Sequence, residues 1–118
     1  MKFSIIPTEK EYPKVAQLID KYDVALEYND YFFTEVYSSK EETDRLIEFY
    51  TSQGRDMSGD TLHGVFYGVD ITAMDKVLRD RSRKLYYYSM ETAKRLGVKG
   101  VVLHSSLIGN LKLEGLGQ

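Results

Sequence analysis

The sequence predicts an α/β fold in which parallel strands alternate with covering helices. Three observations carry that expectation. Short apolar runs stand well apart at Phe3–Ile6, Val24–Tyr28, Thr61–Phe66 and Val98–His104. The stretches between them repeat apolar residues at helical intervals and carry helix start and stop signals. The runs are nearly continuous rather than alternating in polarity, which is the pattern of strands paired in parallel and covered by helices.

The first run is stopped by Pro7, so the strand leaves the sheet there. Thr8 and Glu11 have capping-box spacing, and Val15, Leu18, Ile19 and Tyr22 recur as one helical face, with Pro13 tolerated in the first turn. The second strand, Val24–Tyr28, runs into the aromatic loop Tyr31-Phe32-Phe33. Ser39 and Glu42 repeat the capping spacing, and Leu46, Ile47 and Tyr50 form a stripe that Gly54 is placed to end. The polar stretch from Arg55 to Asp60 reads as a connection into the third strand. A long helix follows, patterned from Met74 through Val77, Leu78, Leu85, Tyr88 and Ala93 to a glycine stop at Gly97. The fourth strand is the Val98–His104 run, and no sustained period follows it. One domain is expected over residues 1–114, with 115–118 a tail outside the fold.

Composition limits the function classes. A chain of 118 residues, 42% hydrophobic and 29% charged, fits a single globular domain. Its formal net charge is −2 and its 16 Lys and Arg residues are scattered, which argues against a nucleic-acid partner. The run Arg79, Arg81, Arg83, Lys84 reads as a solvated helix face, and Tyr86-Tyr87-Tyr88 as packing and helix surface. Absence of cysteine excludes thiolate chemistry and fits a reducing compartment. With neither a secretory signal pattern nor a membrane-length apolar segment, the expected location is cytoplasmic and no membrane partner is expected. No glycine-rich phosphate loop occurs, which disfavours a dinucleotide enzyme.

Chemistry-bearing residues fall at equivalent places. Glu27, His63 and His104 each close an apolar strand at its C-terminal end, the edge at which parallel α/β folds gather ligands and catalytic groups. The chain has two histidines and both lie there. Imidazole serves as a metal ligand or as a base near neutral pH, and a carboxylate beside it as ligand or proton acceptor. Taken singly, each is explained as well by a polar strand end bonding nearby backbone; the coincidence of three points to a site. Tyr31 and Phe32, with Phe66, are the candidates for lining a substrate pocket, against the competing reading that such rings fill core.

Thr61-Leu62-His63-Gly64-Val65-Phe66, Asp70-Ile71, the helix with Arg81-Ser82 and Met90-Glu91-Thr92-Ala93, and Leu96 to His104 resemble the third and fourth strands and intervening helix of xylose isomerase-like barrels. That superfamily holds sugar-phosphate isomerases and epimerases and the AP endonuclease family 2 proteins, and the likeness extends from Met1 to about Glu114. It implies an N-terminal half of a (β/α)8 TIM barrel, a sugar or sugar-phosphate substrate, and a divalent metal: Zn, Mn, Co or Mg. In endonuclease-type members the histidines matching His63 and His104 bind metal; in isomerase and epimerase members the matching positions line the substrate pocket, and later strands supply most metal ligands.

A closed barrel takes about 250 residues and eight strands. Four strands are therefore expected to leave open edges and a half-exposed interior, to be completed by self-association into a homo-oligomer, and to be inactive alone without the later ligands. Two further readings accompany the isomerase or epimerase one: an endonuclease IV-like metal-dependent phosphodiesterase, and a non-catalytic self-associating half-barrel.

Overall fold

The computed structural model of the chain describes residues 3–32, 34–66 and 69–103. Four strands and three long helices follow one another in strict alternation: β1 (Phe3–Ile5), α1 (Tyr12–Lys21), β2 (Val24–Tyr28), α2 (Lys40–Thr51), β3 (Thr61–His63), α3 (Lys76–Leu96) and β4 (Gly100–Val102). All pairings are parallel and the strands lie side by side in sequence order. The α/β class and the parallel β-α-β-α-β-α-β order thus agree with the sequence, while residues 104–118, including the expected tail, lie outside the described residues.

Helix ends follow the local chemistry. The Glu11 carboxylate accepts from both the N–H and the hydroxyl of Thr8, at 3.2 and 2.8 Å, closing a single 3₁₀ turn (Glu9–Glu11) that feeds α1. Ser39 Oγ accepts from the Glu42 N–H at the start of α2. α3 begins at Lys76 rather than at Met74, because the Asp75 carboxylate caps the Val77 N–H at 3.1 Å and leaves Met74 98% exposed. Gly97 ends α3 at φ 79°, where a side chain would be strained, and its N–H returns to the Ala93 carbonyl. Gly54, at φ 76°, stands beyond the last residue of α2 rather than on its cap.

β1 ends one residue short of its apolar run, and β3 and β4 are shorter by several; for these two the reason lies in where their amides go. Gly64 N–H still reaches the Val102 carbonyl at 2.9 Å, but the Val65 N–H turns away to Ser89 Oγ on α3 at 3.1 Å, so β3 stops at His63. Val98 N–H stays with the helix end at Ala93, and Lys99 N–H takes the Asp60 carbonyl, so β4 begins only at Gly100. Gly64 also sits tight against β4: a Cβ there would lie 2.3 Å from Leu103 Cδ2 and 3.1 Å from Val101 Cγ1.

The helices cover one face of the sheet. Val24, Leu26, Tyr28 and Leu62 point toward them and join Tyr12, Val15, Leu46, Ile47, Tyr50, Ala93 and Leu96 in the main core. Tyr50 stands at the aromatic centre, edge-on to Tyr12 and Tyr28 with ring centroids 5.6 and 4.7 Å away. A smaller cluster of Val65, Val69, Leu85 and Tyr86 packs farther along α3, above the end of β3.

At the foot of β3 the connection from Arg55 to Asp60 contains a buried ion pair. Asp60 is 1% exposed and its two oxygens meet Arg55 Nε and a terminal guanidinium nitrogen, both at 2.8 Å. The same carboxylate accepts the Leu26 N–H at 2.9 Å and the Tyr28 hydroxyl at 2.8 Å, while Arg55 also donates to the Val24 carbonyl. Burial, reinforced by this carboxylate, pushes the Tyr28 hydroxyl well above the usual phenol range. Removing the carboxylate in Asp60→Ala strands a guanidinium, an amide and a phenol together. The expected loss is about 3–5 kcal/mol, seen as a lowered urea midpoint; a loss below about 1 kcal/mol would show that the network contributes little.

Candidate functional site

The strand register decides which side chains share a face. Glu27 pairs with Thr61, Tyr28 with Leu62, Thr61 with Gly100 and His63 with Val102. Because alternate strand residues project to opposite faces, Glu27, Thr61 and His63 share one face and Leu26, Tyr28 and Leu62 the other. The second set is in the helix-covered core. Glu27 and His63 therefore stand on the opposite face of the sheet, at the C-terminal ends of neighbouring parallel strands.

Their surroundings differ. Glu27 is half-buried, and among the described residues its carboxylate has no hydrogen-bond partner. His63 is 8% exposed and its Nδ1 lies 2.8 Å from the Gly64 carbonyl. A carbonyl only accepts, so Nδ1 is the donor in this contact. The pair offers a carboxylate oxygen and an imidazole nitrogen, donor types suited to Zn, Mn or Co, whereas Mg asks for oxygens. Two donors do not complete a protein metal site, and no group of three or more His, Cys, Asp or Glu side chains gathers among the described residues.

The other expected site residues are dispersed. Tyr31 is fully buried at 0% exposure, on the helix side, with its ring 6.3 Å from that of Tyr37; a substrate on the open face does not reach it. Phe32 lies in a 3₁₀ turn (Asp30–Phe32) after β2. Phe66 is half-buried three residues past His63. His104 lies outside the described residues. The structure thus brings Glu27 and His63 together and separates Tyr31 from them.

Sequence reasoning passed over the residues that hold this rim in place. Asp30 ties the loop after β1 to the loop after β2: its carboxylate accepts the Glu9 N–H at 2.8 Å and the Tyr50 hydroxyl, and the neighbouring Asn29 N–H donates to the Pro7 carbonyl. Burial pushes the Asp30 carboxyl above its ordinary value, and the two hydrogen bonds only partly offset this. Beyond β3, Ser82 and Ser89, both fully buried and seven residues apart on α3, accept the Asp70 and Val65 amides. A serine repeating at a two-turn interval on the inner side of a helix was the available signal.

Four of the exposed cations, Lys40, Arg45, Lys76 and Arg95, are committed to carboxylates. Arg45 forks onto Glu9 at 2.6 and 2.9 Å and also holds Glu42, and Lys76 pairs with Asp80. Such surface pairs contribute little stability, yet they leave less positive charge to meet a phosphate backbone. No helix among the described residues is long and apolar enough to cross a membrane.

No protein-family model, curated protein or solved structure matches the chain.

The raised Asp30 carboxyl gives a signed pH dependence. The folded state holds this proton more tightly than the unfolded chain, so the group's contribution to stability falls as pH rises from the ordinary value of 3.8 toward the folded one. The stability difference between wild type and Asp30→Asn should be flat below that window, decline through it, and level off above it. A difference that grows with pH instead would place the Asp30 carboxylate among stabilised, not strained, charges.

Proposed function

We propose that this chain is the N-terminal half of a sugar or sugar-phosphate isomerase- or epimerase-like barrel, with Glu27 and His63 on the substrate-facing side of its sheet. One observation carries the reading: the β2–β3 register, which sets a carboxylate and an imidazole on the same face, opposite the helices, at the C-terminal edge of parallel strands. In this reading Glu27 accepts hydrogen bonds from substrate hydroxyls and the His63 imidazole helps to orient the substrate. A divalent metal, where bound, would polarise the substrate oxygens; its remaining ligands come from outside the described residues. The sequence resemblance supports the family, the four parallel strands support the half-barrel, and the scattered charge favours a small substrate over nucleic acid.

The same reading includes self-association. β1 and β4 stand at the two ends of the described sheet, each with one edge turned outward, and a second copy offers complementary edges.

Solution mass measured together with elemental analysis and turnover of keto-sugar phosphates tests the whole proposal. The expected result is a homo-oligomer that binds sugar phosphate, with binding weakened about tenfold or more in Glu27→Gln and in His63→Asn. A monomer that binds neither metal nor sugar phosphate overturns the proposal. A metal-free oligomer without turnover replaces it with the non-catalytic half-barrel, and incision of abasic duplex DNA replaces it with the endonuclease-like activity.

A further inference from the structure

A molecule lying on the sheet face opposite the helices meets its side chains in rows that cross the strands. Register places Glu27 beside Thr61 and Thr61 beside Gly100, so these three positions form one row over β2, β3 and β4. His63 and Val102 form the next row toward the C-terminal edge. The residues in between fix the face: Leu62 belongs to the helix-side core and Val101 packs against that core, which turns Thr61 and Gly100 the other way.

Each position in the Glu27 row contributes something different. Glu27 and Thr61 are half-buried, and among the described residues neither side chain has a hydrogen-bond partner. A carboxylate only accepts, whereas a hydroxyl both donates and accepts, so the pair can bind two neighbouring hydroxyl groups of one molecule. Gly100 supplies room. A Cβ built there meets nothing within 4 Å among the described residues, and the backbone lies outside the left-handed region, so neither crowding nor conformation calls for glycine. A strand glycine under neither constraint leaves bare backbone that a ligand can approach closely.

We propose that the Glu27–Thr61–Gly100 row binds an open-chain, polyhydroxylated carbon skeleton laid across the strands, with Thr61 and Gly100 as specificity-determining positions. This rests on the isomerase or epimerase reading and names the form of its substrate: the linear sugar rather than the ring. Neighbouring strands lie about 4.8 Å apart, so the row runs about 10 Å from β2 to β4. An extended hydroxylated chain covers that span, with one hydroxyl donating to Glu27, a second bonded to Thr61 Oγ1 and the carbons beyond resting on the backbone at Gly100. A pyranose ring held by Glu27 and Thr61 would end over β3 and leave the space at Gly100 empty.

The experiment measures binding to the full chain by calorimetry. D-Glucitol 6-phosphate is the open-chain probe, methyl α-D-glucopyranoside 6-phosphate its ring-locked counterpart, and inorganic phosphate the control for the charged end. The open-chain probe is expected to bind at least tenfold more tightly than either of the others. Thr61→Val, which keeps the shape and removes the hydroxyl, should weaken it about fivefold or more, and Thr61→Ser should restore most of the loss. Gly100→Val should weaken it at least tenfold by filling the row, with no fall in urea midpoint, because the position is unstrained and β-branched residues suit strands. Equal affinity for the ring-locked probe or for phosphate, or full binding in Thr61→Val or Gly100→Val, overturns this inference; if Glu27→Gln still weakens sugar-phosphate binding, the isomerase or epimerase reading stands without it. Absence of binding by both sugar phosphates overturns the two together.

Discussion

One buried carboxylate organises the foot of this fold. Asp60 stands immediately before β3, yet its side chain acts on β2: it takes the Leu26 amide as a strand carbonyl would and fixes the Tyr28 phenol. Arg55 neutralises it and reaches on to the Val24 carbonyl. The pair thereby substitutes for a stretch of ladder at the point where β3 has not yet begun. A buried charge of this kind is kept because removal of either partner leaves the other without water or counter-charge. Register follows from it. With Leu26 bound to Asp60, Glu27 pairs with Thr61, and the position of Glu27 relative to His63 is fixed.

The sheet is thus two-faced by construction. Its helix side is an aromatic and aliphatic core centred on Tyr50, and its other side carries Ser4, Ala25, Glu27, Thr61 and His63, a polar sequence for a surface that a parallel sheet normally buries. Barrel interiors reconcile these demands by enclosing the polar rim above packed layers. The imidazole N–H held on the Gly64 carbonyl illustrates how little is needed to orient one rim group: a single glycine supplies both the acceptor and the room for β4 to approach.

Much of this architecture is legible from sequence because its signals are local. Val24–Tyr28 forms a strand over the residues its apolar run marks, and the Ser39 and Thr8 caps work through neighbours three residues away. Gly97 stops α3 where the helical pattern ends. What stays hidden is long-range bonding between side chain and backbone. Ser89 serves an amide 24 residues earlier, Asp60 one 34 residues earlier, and Asp30 one 21 residues earlier. Asp60 and Asp30 have no periodic signature, Ser89 has only its two-turn spacing from Ser82, and each shortens or anchors an element in a way that propensity does not encode. Tyr31 shows the same blindness in the candidate site: an aromatic in a loop reads equally as pocket wall or as core, and only packing decides.

The unequal lengths of α2 and α3, 12 and 21 residues, have a mechanical consequence. Ala93 and Leu96 seat the lower end of α3 in the main core, whereas Leu85 and Tyr86 sit in the separate cluster beyond β3. A single rigid rod about 31 Å long thus spans both. Repacking its lower end by a tilt of only about 5° shifts Leu85 and Tyr86 by about 1.5 Å. Packing of Val65 and Val69 beyond β3 is therefore geared to volume changes at the C-terminal end of the helix.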